Sequence, residues 1–213
     1  MSSANLNYLK TIFESSFPDR WVRNKDIILA IGVSAASVTE MLQKLLKRKL
    51  VEAAINKKRV RLSPKGKQLI APYMSTYRLC EIWLYKNLEI PIEQVPKQAW
   101  DISMQTDTLF HERLNKYLGF PSYSPFGGLI QLQDILEKNS ILSLASAQID
   151  EKIKLVGYLE TPPNIDYFCE SRIKLKDTIK IYCRNHQRTI VQLSSGELIS
   201  IPLELESSIY VSL

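Results

Sequence analysis

The chain has 213 residues, 45% apolar and 23% charged, a balance that supports a packed core and excludes a disordered tail or linker. Its formal charge of +6 is unevenly spread: residues 1–72 carry 14 Lys and Arg against 5 Asp and Glu, residues 73–213 carry 14 against 17. The longest apolar run, Ile27 to Val33, is far too short for a membrane span, the N-terminal residues lack an export signal, and three cysteines make no disulfide framework; a reducing cytoplasm is the expected location.

In chain order, Leu6, Leu9, Ile12 and Phe13 recur at helical spacing and predict an amphipathic helix over 4–16. Asn24 is the expected N-cap of a short helix ending near Ile31, and Gly32 supplies a tight turn. Ser34 then caps a third helix to about Lys49, with Val38, Met41, Leu42 and Leu45 on its buried stripe. Two short alternating stretches, Leu50–Ala54 and Arg59–Leu62, read as a hairpin with a basic tip. Three helices followed by a hairpin are the order of a winged helix-turn-helix, whose second reading helix enters the DNA major groove. The basic first third of the chain points to the same polyanion.

From about Lys65 to Glu89 the positions Leu69, Tyr73, Tyr77, Cys80, Trp83 and Leu84 predict a long helix; Pro91 and Pro96 interrupt, and one further helix is expected over 97–118. These helices carry more apolar bulk than two helices can hide from water, which suggests a self-complementary dimer interface. Residues 120–128 are turn-rich, and a short helical piece lies near Leu132 to Glu137. Five short strands follow: Ile153–Leu159, Thr178–Cys183, Thr189–Leu193, Leu198–Ile201 and Ile209–Leu213. They suit a small SH3-like barrel. The expected fold is therefore mainly α with a small all-β domain: a winged helix-turn-helix over 1–72, a helical dimerisation domain over 73–140, and an SH3-like domain over 141–213.

Several stretches carry a resemblance: Tyr8–Glu14, Val22–Ile27, Gly32–Leu42, Val60–Gly66, Tyr77–Glu81 and Gly119–Gly127. Through them the chain resembles the diphtheria toxin repressor and manganese transport regulator family of metal-dependent bacterial repressors. The last part resembles the ferrous-transport-like SH3 domain of longer members. The resemblance implies a homodimeric repressor that binds palindromic operators in double-stranded DNA, with no membrane partner.

The resemblance also implies where metal ligands would fall, and there the chain departs. The family's first-helix ligands align with Asn7 and Lys10, its fourth-helix ligands with Tyr77 and Glu81, and those of the dimerisation helix with Pro96, Trp100, Ser103 and Met104. Only Glu81 keeps a carboxylate. Mn²⁺ or Fe²⁺ needs several converging hard donors, so the expectation is no metal, no cofactor and DNA binding that does not depend on Mn or Fe. Trp100 and Met104, four apart on one helix face, would replace coordination by apolar packing. A relocated metal site using Glu81, Asp107 and His111 is the rival.

By the same resemblance, Ser34, Ala36, Ser37, Thr39, Glu40 and Gln43 face the groove. Lys25, Lys44 and Lys47 flank the reading face, and Lys57, Lys58 and Arg59 form the wing tip, where phosphate contact is expected. No nucleophile, phosphate-binding or zinc-hydrolase motif is present and only two histidines occur, which speaks against an enzyme. A different class of function stays open, in which a non-metal effector, a protein partner or a redox signal enters through the C-terminal domain or through Cys80 beside Glu81.

Overall fold

A computed structural model describes residues 2–17, 20–55, 58–136 and 141–213. The chain divides into two compact units, residues 1–76 with 131–137 and residues 77–130 with 138–213.

In the first unit, α1 (Ser3–Ser15) buries Leu6, Leu9, Ile12 and Phe13, the stripe its spacing predicts. A two-residue strand, β1 (Val22–Arg23), leads into α2 (Asn24–Ile31). The expected Asn24 cap moves one residue back: Arg23 is the N-cap, and its backbone N–H and guanidinium both donate to Asp26, which closes the box from the third helical position. Gly32 ends α2 at φ +73°, and its N–H donates to the Ile28 carbonyl. The chain turns through 113° between α2 and α3 (Ala35–Lys47), within the range of helix-turn-helix units. Lys49, at φ +58°, takes the left-handed position where α3 gives way to β2 (Val51–Ala53). β3 (Arg59–Leu62) pairs antiparallel with both β2 and β1, in the order β1-β3-β2. β1 is the one strand here that the sequence pattern, at two residues, is too short to signal.

α4 (Pro64–Asn87) runs from the first unit into the second. The single helix expected over 97–118 is two, α5 (Val95–Ser103) and α6 (Thr108–Tyr117). The break has a local cause. Ser103 Oγ donates to the Trp100 carbonyl and Thr106 Oγ1 to the Ser103 carbonyl, while Asp107 accepts from the Phe110 N–H and starts a new helix. Pro96 sits in the first turn of α5, where a missing N–H costs nothing. α7 (Leu132–Leu136) belongs with the first unit.

The C-terminal part is a six-stranded antiparallel sheet ordered β4-β9-β5-β6-β7-β8. Its strands are β4 (Ile141–Ser143), β5 (Lys152–Tyr158), β6 (Thr178–Arg184), β7 (Arg188–Leu193), β8 (Leu198–Pro202) and β9 (Ile209–Ser212). Five match the predicted strands; β4 is extra. Ile153, Leu155, Ile179, Ile181, Val191, Ile201 and Val211 fill its inner face. Buried Glu206 is held there by Thr189 Oγ1 and by Arg184 Nε at 3.1 Å, which satisfies the charge that burial would otherwise strand. Pro162 and Pro163 open α8 (Pro162–Glu170).

The turn at 124–128 is seated against β5. The Tyr158 N–H donates to the Phe126 carbonyl at 3.0 Å, and the Phe126 ring meets Tyr158 edge-on. Gly127 is at φ +86°, and a Cβ there would lie 2.1 Å from the Val156 carbonyl oxygen, so only glycine permits the approach. Tyr158 in turn stacks on Phe168 of α8 with centroids 4.0 Å apart. The helical segment from Tyr77 and the sheet thus share one packed body. Among the described residues no single helix is long and apolar enough to cross a membrane.

Candidate nucleic-acid interface and regulatory site

The face of α3 opposite its buried stripe is solvent-exposed throughout. Ser34, Ala36, Ser37, Thr39, Glu40, Gln43, Lys44 and Lys47 are all exposed, while Val38, Leu42 and Leu45 on the opposite face are buried. Ser34 caps the helix by accepting from the Ser37 N–H at 3.2 Å, and the two hydroxyls lie 2.9 Å apart. Thr39 Oγ1 donates back to the Ala35 carbonyl. Glu40 is engaged by Lys44 at 2.6 Å, and that ammonium lowers its pKa. Part of the Lys44 charge is therefore neutralised within the helix, and Lys47 is left as the cation of its last turn.

Lys25, Lys58 and Arg59 are exposed as well; Lys57 lies outside the described residues. The wing strand is braced by Arg61, which pairs with Glu52 at 2.9 Å and lies over the Trp21 ring at 4.6 Å. Two exposed apolar residues escaped the sequence reading: Leu29 on α2 and Ile55 at the described edge of the wing tip. Neither belongs to a charge or motif pattern that would mark it.

The positions assigned to metal ligands hold other chemistry. In the first unit, Lys10 is paired with Glu14 at 2.7 Å, so an ammonium stands where a carboxylate ligand would be, and Asn7 is half-buried. In the second unit, fully buried Tyr77 meets Trp100 edge to face. Ser103 is buried with its hydroxyl donated to the α5 backbone, Met104 caps α5, and Pro96 has no donor to offer.

Glu81 is fully buried, and its pKa is raised well above the usual carboxylate range by burial first and then by the charge of Glu160. The hydroxyls of Tyr77 and Ser124 and the Arg78 guanidinium pull it partly back. Arg78 is itself held by the Leu129 carbonyl. Glu160, on the segment after β5, is the partner that sequence reasoning missed. It is remote in sequence from Glu81, and only the seating of the sheet on the helices brings them together.

The relocated trio does not assemble. The Asp107 carboxylate is spent on capping α6, and His111, half-buried, has its pKa lowered by that burial. Among the described residues no three His, Cys, Asp or Glu side chains converge into a metal-holding group. At the aligned ligand positions only Glu81 offers a carboxylate. Around Glu81 stand the Glu160 charge and the Tyr77 and Ser124 hydroxyls, oxygen groups of the hard class. Cys80, next to it, is buried with its thiol pushed up to about 12 by burial and the neighbouring Glu81 charge. A thiol so fully protonated is a poor redox sensor.

Two family models match the chain: iron dependent repressor, N-terminal DNA binding domain, over residues 2–58, and iron dependent repressor, metal binding and dimerisation domain, over 63–132. No curated protein matches. Among solved structures, T. acidophilum IdeR is 22% identical and superposes with a TM-score of 0.86, over 100% of this chain and 99% of that one. The manganese regulator SloR is 26% identical, TM-score 0.83, over 100% and 99%. A manganese-dependent transcriptional repressor complexed with manganese is 21% identical, TM-score 0.77, over 97% and 98%.

These likenesses correct one expectation. A chain without a cofactor was inferred from the residues at the aligned ligand positions, but the second matching model is a metal-binding domain and a solved relative holds manganese. The inference failed because it weighed aligned positions one at a time. That count takes in no residue delivered from elsewhere in the fold.

Proposed function

The chain belongs to the iron-dependent repressor family, and from that membership we propose that this DNA-binding regulator acts as a homodimeric repressor on a palindromic operator. Residues 1–72 read DNA, 73–140 dimerise, and 141–213 form an SH3-like domain against the dimerising helices. The regulator works by binding alone, without catalysis, in the cytoplasm. The observation that carries the reading is the uninterrupted exposed face of α3, with small hydroxyl and methyl side chains centrally and lysines around them. Ser37 and Thr39 suit base-edge or phosphate contacts, and Ala36 suits a thymine methyl.

The finer part of the proposal concerns the aligned ligand positions. Operator binding does not depend on Mn or Fe held by Asn7, Lys10, Tyr77, Pro96, Trp100, Ser103 and Met104, because packing between Tyr77 and Trp100 joins α4 to α5 where coordination would. Chelator-treated protein should bind promoter fragments selected from genomic DNA. Failure to bind, with recovery on adding Mn²⁺, overturns this part.

A second reading is favoured by the Glu81–Glu160 pair. A fully buried carboxylate held near the charge of a second, half-buried one is relieved by a proton or by a divalent cation. Regulation by metal, the family's property, would then act through Glu81, Glu160 and the Tyr77 and Ser124 hydroxyls. Enhancement of operator binding by Mn²⁺ that Glu160→Gln abolishes selects this reading over the first.

A further inference from the structure

The C-terminal sheet has a second face. Along β5 the buried Ile153 and Leu155 alternate with exposed Lys152 and Lys154, so both lysines stand on the outer side. Lys152 lies directly across from Lys180 on β6, and the row continues through Gln192 on β7 to Leu198 on β8. Lys154 faces Thr178 on one side and Ser212 on the other. The residues of β5 to β8 that point outward in this register include no carboxylate. Lys180 is paired with Asp150 at 2.7 Å. Among the described residues Lys152 and Lys154 are in no ion pair.

Like charges facing each other across strands destabilise a sheet. Lysines are often placed on strands to stop edge-to-edge aggregation, but β5 and β6 are interior strands here, with β9 and β7 at their flanks. That explanation does not apply. A polyanion laid over the face would relieve the repulsion. Lys152 and Lys154, two residues apart on a strand, are about 7 Å apart along it, a reach over successive charges of a nucleic-acid backbone. Exposed Tyr182, later on β6, adds an aromatic ring beside the lysines.

We propose that the outer face of this sheet, through Lys152 and Lys154, is a second contact for the DNA phosphate backbone. It rests on the reading of the chain as a DNA-binding regulator, which already brings a polyanion to the molecule at high effective concentration. The contacts proposed are lysine ammonium groups on phosphates, which carry no sequence information, so their contribution is independent of sequence.

The test uses full-length protein and random-sequence duplexes of graded length, read by fluorescence anisotropy across a salt series. Lys152→Glu with Lys154→Glu should lower affinity for long duplexes about tenfold or more and reduce the slope of log K against log salt by about 2, since each lost phosphate contact is worth roughly 0.9. The shortest duplexes should be bound as by wild type. Lys174→Glu with Lys176→Glu, the same charge change at exposed positions in the loop before β6, should leave the length dependence intact. An equal loss in that control, or no change in the sheet variant, overturns the inference. So does wild-type sedimentation with phosphatidylserine vesicles without any length effect on DNA. If the charge-reversed variant fails to fold by circular dichroism, Lys152→Gln with Lys154→Gln carries the same comparison. Wild-type protein that binds no duplex at all overturns the DNA-binding reading instead.

Discussion

Tyr77 of α4 and Trp100 of α5 meet edge to face, with ring centroids 5.7 Å apart and planes at 88°. Both are buried, Tyr77 completely and Trp100 to all but 8% of its surface. Such an arrangement sets the positive ring edge of one against the negative face of the other and is worth about 0.5–1.5 kcal/mol beyond the area it hides.

Trp100→Ala empties that space and should destabilise the protein by about 3–5 kcal/mol, the usual cost of truncating a buried aromatic, measured by urea unfolding. Trp100→Phe should retain most of the stability. If the pair also joins the helices for operator binding, chelator-treated Trp100→Ala loses affinity for DNA far more than Trp100→Phe does. Equal DNA binding by both variants, with stability restored by lower temperature, separates the pair from function.

Glu81 gives a pH dependence whose direction follows from its surroundings. Burial and the Glu160 charge raise its pKa in the folded state above its ordinary value of 4.5. The folded protein therefore holds the proton more tightly than the unfolded chain, and stability from this group is present in full below that value and lost as pH rises through the raised one. Glu81→Gln, which fixes the neutral form, should flatten this decline in thermal melts taken from pH 4.5 upward. Mn²⁺ should raise the melting temperature of wild type at neutral pH, and of Glu81→Gln much less, if a cation takes the proton's place. No response to pH in either protein would remove Glu81 as a titrating group.

The first unit was largely legible in the sequence because its signals are local. The apolar stripe of α1, the Ser34 cap and Gly32 each act within a turn or two of their own position. Charge separation between the two parts of the chain added the partner class. The break between α5 and α6 was not legible: Ser103, Thr106 and Asp107 are hydroxyl and carboxylate residues that a helix tolerates on its surface. Only their hydrogen bonds to the backbone show that they end one helix and start the next. The Glu81–Glu160 pair was beyond reach for another reason, since it depends on how the sheet is seated and no periodicity reports that.

Gly127 tests that seating. Its positive φ alone makes alanine cost about 1–2 kcal/mol, and the added methyl would press into the Val156 carbonyl at 2.1 Å. Gly127→Ala should cost more than the conformational term by itself. Hydrogen exchange should then show faster opening at Tyr158, whose N–H is bonded to the neighbouring Phe126 carbonyl. Loss of the Glu81 pH response in the same variant would show that the seating, not Glu81 alone, raises its pKa. A variant as stable as wild type would mean that the turn is not held where it lies.

The wing and the reading helix should separate by their effects on sequence preference. Lys58 and Arg59 are exposed, and the Lys58 carbonyl accepts from the Asn24 N–H at 3.3 Å, which ties the wing to the start of α2. Phosphates carry no sequence information, so Lys57→Ala with Lys58→Ala should weaken binding to all duplexes alike and lower the salt slope by about 2. Thr39→Ala and Gln43→Ala, on the exposed face of α3, should instead relax discrimination between operator and mutated operator by about 1–3 kcal/mol per base contact, with little change in salt slope. Competition binding on a randomised duplex library reads both effects at once. If the wing variant shifts the preferred sequence while the α3 variants do not, the roles of the two elements are reversed, because the element that touches base edges must be the one whose loss blurs the sequence.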